Sequence, residues 1–442
     1  VCLQLKRAID IIYEAGNIDY RMGDGDSMKA EILAVGTELL MGQIANTNAQ
    51  YISSRLPDVG VGVYYHDVVG DNPERLKQSL ALAMSRSDVI ILTGGLGPTQ
   101  DDLTKETVSA AVNRKLVLDQ ETYDTIKKFF EKRERPMTQN NIKQAYLPEG
   151  SIVIRNKNGT APGCIIEQDD KVIIMLPGPP SEMKPMFDET VMPYFASKSE
   201  FRLESRFLRI FGVGESAVED TLIDLIASQT NPTIAPYAKD GEVALRITAR
   251  YPRDSDDEDL ITPVEDEIRR RLGDSVYSND NRGLVEIAAK LLLESGMKLA
   301  LAESCTGGLL ASKLTDVPGI SAVFDRSIVT YSNRSKVEEL GVSQDTLDLY
   351  GAVSEKTARE MAEGVRKVSN ADLGISITGI AGPDGATDKK PVGLIYTALS
   401  DCNGTEVKRL ELWGNRSRIR NMACLHVFDM LRRYLLARSK KG

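Results

Sequence analysis

The chain has 442 residues and a formal charge of −9, from 55 Lys and Arg against 64 Asp and Glu. That length predicts two or three domains, and the acidic balance argues against nucleic acid or an anionic membrane as partner while allowing a local basic pocket for a phosphorylated small molecule. No apolar run approaches the roughly 18 residues of a membrane span. The five scattered cysteines, with no CxxC pair, fit a reducing cytoplasm and exclude a disulfide framework, and two histidines (His66 and His426) exclude a histidine-rich metal site.

Residues 1–27 open with "VCLQLKRAIDIIYEAG", apolar at helical spacing, and read as an appended amphipathic helix or upstream-coded extension rather than a signal peptide. From residue 28 to about 196, apolar strands ("AEILAVG", "DVIILTGG", "VIIMLPG") alternate with amphipathic helices ("NTNAQYISSRLPDVG", "NPERLKQSLALAMSRS", "KETVSAAVNRK"). This alternation predicts an α/β/α domain on a mostly parallel sheet, with ligand loops beyond the carboxyl ends of the strands. Three such loops carry chemistry: "VGTELLMGQIANTN", "TGGLGPTQDDLT" and "LPGPPSEM". Their glycines let backbone N–H groups turn toward an anion, and Asp101 and Asp102 offer hard oxygen to Mg²⁺ or a similar ion. Each loop alone also reads as a tight turn, and Asp102 also reads as a helix N-cap. Gly94, Gly95, Gly97, Pro177 and Gly178 are the candidate ligand contacts, with Asn158 and Thr160 from "NKNGTAPG"; Asp67 and Asp71 lie in a neighbouring turn.

These loops resemble the molybdopterin-binding fold of molybdenum-cofactor biosynthesis proteins, through "TGGLGPTQDD", "GTELLMGQIANTN" and "LPGPP". Together with its downstream residues, the chain is similar to the CinA (competence/damage-inducible protein A) family from Met28 almost to its end. The resemblance implies a metal-dependent ADP-ribose pyrophosphatase in this domain. A divalent ion (Mg, Mn or Co) would bridge the diphosphate and activate water, with Asp102 as its leading ligand candidate and Asp101 and Glu38 behind it.

Residues 200–278 read as a small α+β, KH-like module: strand "SRFLRIFGV", helix "ESAVEDTLIDLIAS", strand "EVALRITARY", a solvated acidic loop "RDSDDEDL" and helix "ITPVEDEIRRRLG". It lacks the basic GxxG loop of an RNA-binding KH module, which argues against an RNA role.

Residues 283–438 form a third α/β unit. Helix "GLVEIAAKLLLESG" leads to strand "KLALAES", a loop and helix "GGLLASKLTDV"; "SIVTYSN", "DLGISITG" and "VGLIYTALS" are further strands, and a long amphipathic helix closes the chain. The loop "AESCTGG" offers Ser304 and Cys305 as nucleophiles. N–H groups around Thr306, Gly307 and Gly308 suit an oxyanion or a phosphate. A serine needs a base, and with histidine scarce a buried lysine serves. Lys336, in the first turn of the helix after "IVTYSNRSK", opposes the helix dipole there, and Tyr331 lies beside it. Either pairing with Ser304 or plain exposure explains Lys336. "SITGIAGPDGATDKKPVG" and the Arg416, Arg418, Arg420 run in "GNRSRIR" point to the same sheet edge.

This unit resembles the CinA C-terminal domain, the nicotinamide-nucleotide amidases, through "AESCTGG", "YSNRSK", "GAVS", "SITGIAGPDG", "KPVG" and "GNRSRIR". The resemblance implies hydrolysis of nicotinamide mononucleotide to nicotinate mononucleotide and ammonia, without a cofactor. Ser304 is then the nucleophile, Tyr331 and Lys336 its activators, and Thr378, Gly379 and Arg418 substrate contacts. A cytoplasmic homodimer acting on nicotinamide mononucleotide and ADP-ribose is expected. Arg326 and Ser327 stand where the family commonly has glycines, Ala386 where it has glycine, and Asn415 where it has aspartate.

Overall fold

Near-continuous apolar runs become strands covered on both faces, and the first strand, β1 (Met28–Val35), behaves this way. Ala30 and Ile32 enter one core cluster while Leu33 and Val35 enter another. The computed structural model describes residues 28–199, 201–239, 241–252 and 258–439. The helix expected in 1–27 lies outside the described residues, as does most of the acidic loop after Pro252.

Two compact units form. One is built on residues up to Glu204 with the segment from Arg250; the other takes Ser205–Ala249 and the residues from Glu258 onward. In the first, β1 is joined by β2 (Val61–Val69), β3 (Val89–Thr93), β4 (Leu116–Leu118), β5 (Tyr146–Pro148), β6 (Ile152–Ile154), β7 (Gly163–Gln168) and β8 (Lys171–Leu176). The main sheet runs β2-β1-β3-β8-β7-β6, with β4 and β5 as a separate ribbon. The first four of that order are mutually parallel and the last two antiparallel. The carboxyl ends of β1, β3 and β8 therefore share one edge, and all three predicted loops emerge there. Helices Thr47–Arg55 and Pro73–Arg86 start at Asn46 and Asn72, whose side chains accept from Ala49 N and Arg75 N.

In the second unit, β9 (Phe201–Phe211), β10 (Thr233–Lys239), β11 (Glu242–Pro252) and β12 (Val276–Ser278) form a sheet in the order β10-β11-β9-β12, accompanied by helices Glu215–Ala227 and Ile261–Leu272. The sequence reading missed β10 and β12, one containing a proline and the other only three residues long. The C-terminal sheet comprises β13 (Leu299–Glu303), β14 (Phe324–Val329), β15 (Leu373–Gly379), β16 (Leu394–Ser400) and β17 (Thr405–Glu411), in the order β14-β13-β15-β16-β17. β14, β13 and β15 are parallel; β16 and β17 return antiparallel. β13 alternates again, Leu299 and Leu301 on one core and Ala300 and Ala302 on the other. β14 ends two residues earlier than the pattern suggested, which leaves Thr330 and Tyr331 in the loop ahead of helix Asn333–Leu340. Helix Arg416–Ser439 closes the fold.

Candidate functional site

Ser304 follows the last residue of β13, its N–H held by the Ile377 carbonyl at 3.0 Å. Lys336 sits in the first turn of helix Asn333–Leu340, which Ser332 caps. Its ammonium donates to Ser304 Oγ at 3.1 Å and to the Thr330 carbonyl at 2.8 Å. Lys336 is only 1% exposed and Ser304 8%. Among the described residues no carboxylate forms an ion pair with Lys336, and burial pushes its pKa down to about 8. A serine hydroxyl against a buried amine of lowered pKa is the arrangement that nucleophile–base chemistry requires. Cys305 is buried, and burial pushes its thiol up to about 12, so it is a packed neighbour. His426 packs edge-on against Phe211, 4.9 Å between centroids.

Several expected roles are corrected. The N–H groups of Gly307 and Gly308 do not face a ligand: Gly307 donates to the Ser304 carbonyl, and Gly308 to Glu303 Oε2 at 3.0 Å. Glu303, fully buried and given no role in the sequence reading, also accepts from Leu310 N at 3.0 Å and Ala311 N at 2.9 Å. The carboxylate takes the anion's place at the start of helix Leu309–Thr315 and so braces the loop that carries Ser304. An acidic residue a few positions ahead of a helix is the signal that could have revealed it. Thr306 is buried, and its Oγ1 has no partner among the described residues. Tyr331 is 64% exposed, and its hydroxyl accepts from Arg416 at 3.2 Å rather than meeting Ser304 or Lys336. Arg416 also donates to the Gly382 carbonyl at 2.6 Å, tying the loops after β14 and β15 to the start of the last helix. Thr378 spends its hydroxyl on the Ala352 carbonyl at 2.8 Å. At Gly379 a Cβ would lie 2.2 Å from Ile395, so packing requires the glycine. Arg418 stacks over the exposed Trp413 ring at 4.1 Å, while Arg420 donates to the Thr306 carbonyl.

The departures from the family pattern also have places. Ser327 donates to Glu303 Oε1 at 3.1 Å, and Arg326 pairs with Asp325 at the surface. Ala386 is not among the residues with positive φ. Asn415 accepts from Arg418 N at 2.9 Å as an N-cap, a role Asn fills as well as Asp. None of these displaces Ser304 or Lys336.

In the first unit the three loops enclose a cleft of about 490 Å³ lined by Gly94, Gly95, Gly97, Thr160, Pro177 and Gly178 among others. Gly94 has φ 103° and a Cβ there would lie 2.1 Å from the Val35 carbonyl oxygen, so the close approach of the chain ends of the paired strands β1 and β3 fixes glycine. Asn158 does not line the cleft; its side chain donates to the Ser181 carbonyl at 2.8 Å. Its segment instead supports Glu182, a lining residue the sequence reading missed, through Asn156 Nδ2 at 2.6 Å.

Glu38, Asp101 and Asp102 line the cleft with Asp71 and Glu182, but they are not gathered as an ion cage. Among the described residues no group of three or more Asp, Glu, His or Cys is placed to hold a metal. Asp102 accepts from Thr99 N at 2.9 Å, and Asp71 from Thr37 N at 2.9 Å and Thr37 Oγ1 at 2.8 Å. Glu38, Asp101 and Asp102, the expected ligand set, therefore stand here as separate cleft-lining carboxylates.

The fold and its sites thus define an α/β protein with a molybdopterin-binding-like domain, a KH-like middle module and a mixed α/β domain carrying a buried Ser–Lys pair. Family models match in the same order: a probable molybdopterin binding domain over 31–197, the damage-inducible protein CinA KH domain over 205–278 and the CinA C-terminal domain over 281–435. A putative competence-damage inducible protein of Acetivibrio thermocellus is 58% identical over 409 residues, 92% of this chain and 99% of that protein. A CinA-like protein of Dictyoglomus turgidum is 53% identical over 92% of this chain and 100% of its own length. The crystal structure of a CinA superfamily protein from Klebsiella pneumoniae aligns at 33% identity and TM-score 0.34, over 35% of this chain and 96% of that one. The chain belongs to the CinA family. Among its described residues, no helix is long and apolar enough to cross a membrane.

Proposed function

We propose that the C-terminal domain is an amidase that converts nicotinamide mononucleotide to nicotinate mononucleotide and ammonia. The observation that carries this is the 3.1 Å contact between the Lys336 amine and Ser304 Oγ in a buried setting. Neutral Lys336 accepts the Oγ proton as Ser304 attacks the carboxamide carbon. The proton passes to the departing nitrogen, ammonia leaves, and a nicotinoyl ester remains on Ser304. Water, deprotonated by Lys336, hydrolyses the ester and restores the serine. Glu303 and Arg420 hold the loop in which this happens.

For the N-terminal cleft we propose binding and cleavage of ADP-ribose. Its lining includes five carboxylates and no Lys, Arg or His. A diphosphate can enter such a cleft only with its own cations, so a divalent ion (Mg, Mn or Co) is read as part of the substrate. The commitment of Asp102 and Asp71 to Thr99 and Thr37 favours a second reading, in which the cleft binds the nucleotide without turning it over. Product analysis decides both. Ser304→Ala is expected to abolish ammonia release from nicotinamide mononucleotide, by at least about 10⁴-fold, and to leave ADP-ribose cleavage intact. Ammonia release at the wild-type rate from folded Ser304→Ala overturns the amidase mechanism. ADP-ribose that binds with Mg²⁺, Mn²⁺ or Co²⁺ but is never cleaved establishes the second reading.

A further inference from the structure

Beyond the acidic cleft of the first unit, a groove of about 550 Å³ runs between helix Pro73–Arg86 and helix Thr104–Ala111. It begins where the cleft stops. Asp71 and Asp102 line the cleft, and the residues that follow them in the chain, Asn72 and Leu103, line the groove. From Leu103 the groove follows the second helix through Glu106 and Thr107 to Ala110. At a helical rise of about 1.5 Å per residue that path is about 10 Å long, the length of a nucleoside.

Its chemistry differs from that of the cleft. Pro73, Leu103 and Ala110 offer apolar surface, and Glu74, Lys77 and Glu106 stand among them. The Glu106 side chain is 31% exposed, and Lys143 holds its Oε1 at 3.3 Å. The same ammonium donates to the Asp102 carbonyl at 2.6 Å, so one lysine braces the groove carboxylate and the cleft loop together. Two carboxylates against one lysine do not suit a further phosphate. Apolar surface with a few polar groups suits an uncharged ring system, and a carboxylate accepts well from ribose hydroxyls.

We propose that this groove is the nucleoside subsite of the cleft. The base lies on Pro73, Leu103 and Ala110, and Glu106 accepts a hydrogen bond from a ribose hydroxyl. Recognition then divides: the cleft holds the cation-loaded diphosphate, and the groove selects what is attached to it. This rests on the proposed reading of the cleft as a nucleotide-diphosphate site.

The test uses the full chain with Mg²⁺ and two non-hydrolysable ligands, α,β-methylene ADP-ribose and methylenediphosphonate. Ala110 is exposed at the end of the groove away from the cleft, so Ala110→Trp fills the groove and leaves the cleft open. In calorimetry it is expected to weaken the nucleotide about tenfold while moving methylenediphosphonate less than about twofold. Unchanged nucleotide affinity means that the groove serves another occupant, such as a protein, and equal loss for both ligands means that groove and cleft are not separate subsites; each overturns the inference. A second arm needs no affinity change. Ala110→Cys is labelled with a maleimide and followed at that residue by peptide mass spectrometry. Saturating α,β-methylene ADP-ribose is expected to slow labelling about tenfold by covering the groove, while saturating methylenediphosphonate leaves it unchanged. Labelling at one rate with either ligand overturns the inference even if Ala110→Trp fails to fold. If wild-type protein binds neither ligand, the diphosphate reading of the cleft is itself wrong, a result distinct from the others.

Discussion

At the scale of single residues, Lys336 carries the amidase proposal, and its burial makes a sign-definite prediction. With a pKa near 8 it is mostly protonated at neutral pH, and a protonated amine cannot take the Ser304 proton. Amidase kcat is therefore expected to rise with pH through about 8 and level off above it. Lys336→Arg should be inactive across the range, because a guanidinium does not deprotonate. A rate that is flat between pH 6.5 and 9.5, or appreciable activity in Lys336→Arg, removes Lys336 as the base. Stability is a poorer reporter of the same group. Between about 8 and 10.5 the unfolded chain holds a proton that folded Lys336 has lost, so this residue alone makes stability rise with pH there. Lys105, pushed down to about 8 by burial, acts in the same sense. The buried thiols of Cys164 and Cys305, pushed up to about 12, act in the opposite sense from about 9 upward. The contributions overlap, and only the rate profile isolates Lys336.

Elements decide how side chains reach the sites, and the junction of β17 with helix Arg416–Ser439 is the most informative. Asn415 caps that helix by accepting from Arg418 N, and Arg416 in its first turn ties Tyr331 and Gly382 together. Asn415→Ala is expected to cost about 1 kcal/mol in denaturant unfolding, while Asn415→Asp, the family's usual residue, should change stability by less than about 0.3 kcal/mol. A marked rise in amidase kcat on Asn415→Asp would mean that the residue has a chemical role beyond capping. Much at this scale was legible in the sequence. Apolar runs marked β1, β3, β8, β13 and β15, and parallel pairing then forced the glycine-rich loops and Ser304 to the carboxyl edges of their sheets. Lys336 was legible because a cation in a first helical turn opposes the dipole. Roles that depend on partners distant in the chain were not. Gly308 N–H points to Glu303 instead of a substrate, Tyr331 meets Arg416, 85 residues away, and Asp102 turns back on Thr99. A residue type that suits a ligand suits a neighbouring backbone N–H equally well, and only geometry chooses between them.

At the scale of the molecule, the sequence reads as three separate modules, yet the middle one shares a core with the C-terminal domain. Phe211 and Tyr277 enter the same apolar cluster as Leu301, Ile377 and Phe428. Arg432, 2% exposed on the last helix, donates to the carboxylate of Asp429 at 2.6 Å and to the Asp274 carbonyl at 2.7 Å, beside the middle module's last strand. At Gly241 a Cβ would lie 2.2 Å from Met422. Arg432→Met removes the cation while keeping an apolar stem. Asp429 then keeps only the half-exposed Arg433, at 2.8 Å, and the Asp274 carbonyl loses its donor. Breaking a buried pair from one side costs about 3–5 kcal/mol, and Arg433 brings the expectation to the lower end, about 3 kcal/mol. Because the core is shared, this loss should appear together in the two modules: amide exchange is expected to quicken by a common factor of about 100 in β11 and β13, with β1 and β3 unchanged. Faster exchange confined to helix Arg416–Ser439 would mean that the middle module is merely tethered. Faster exchange in β1 as well would mean that the two compact units unfold as one.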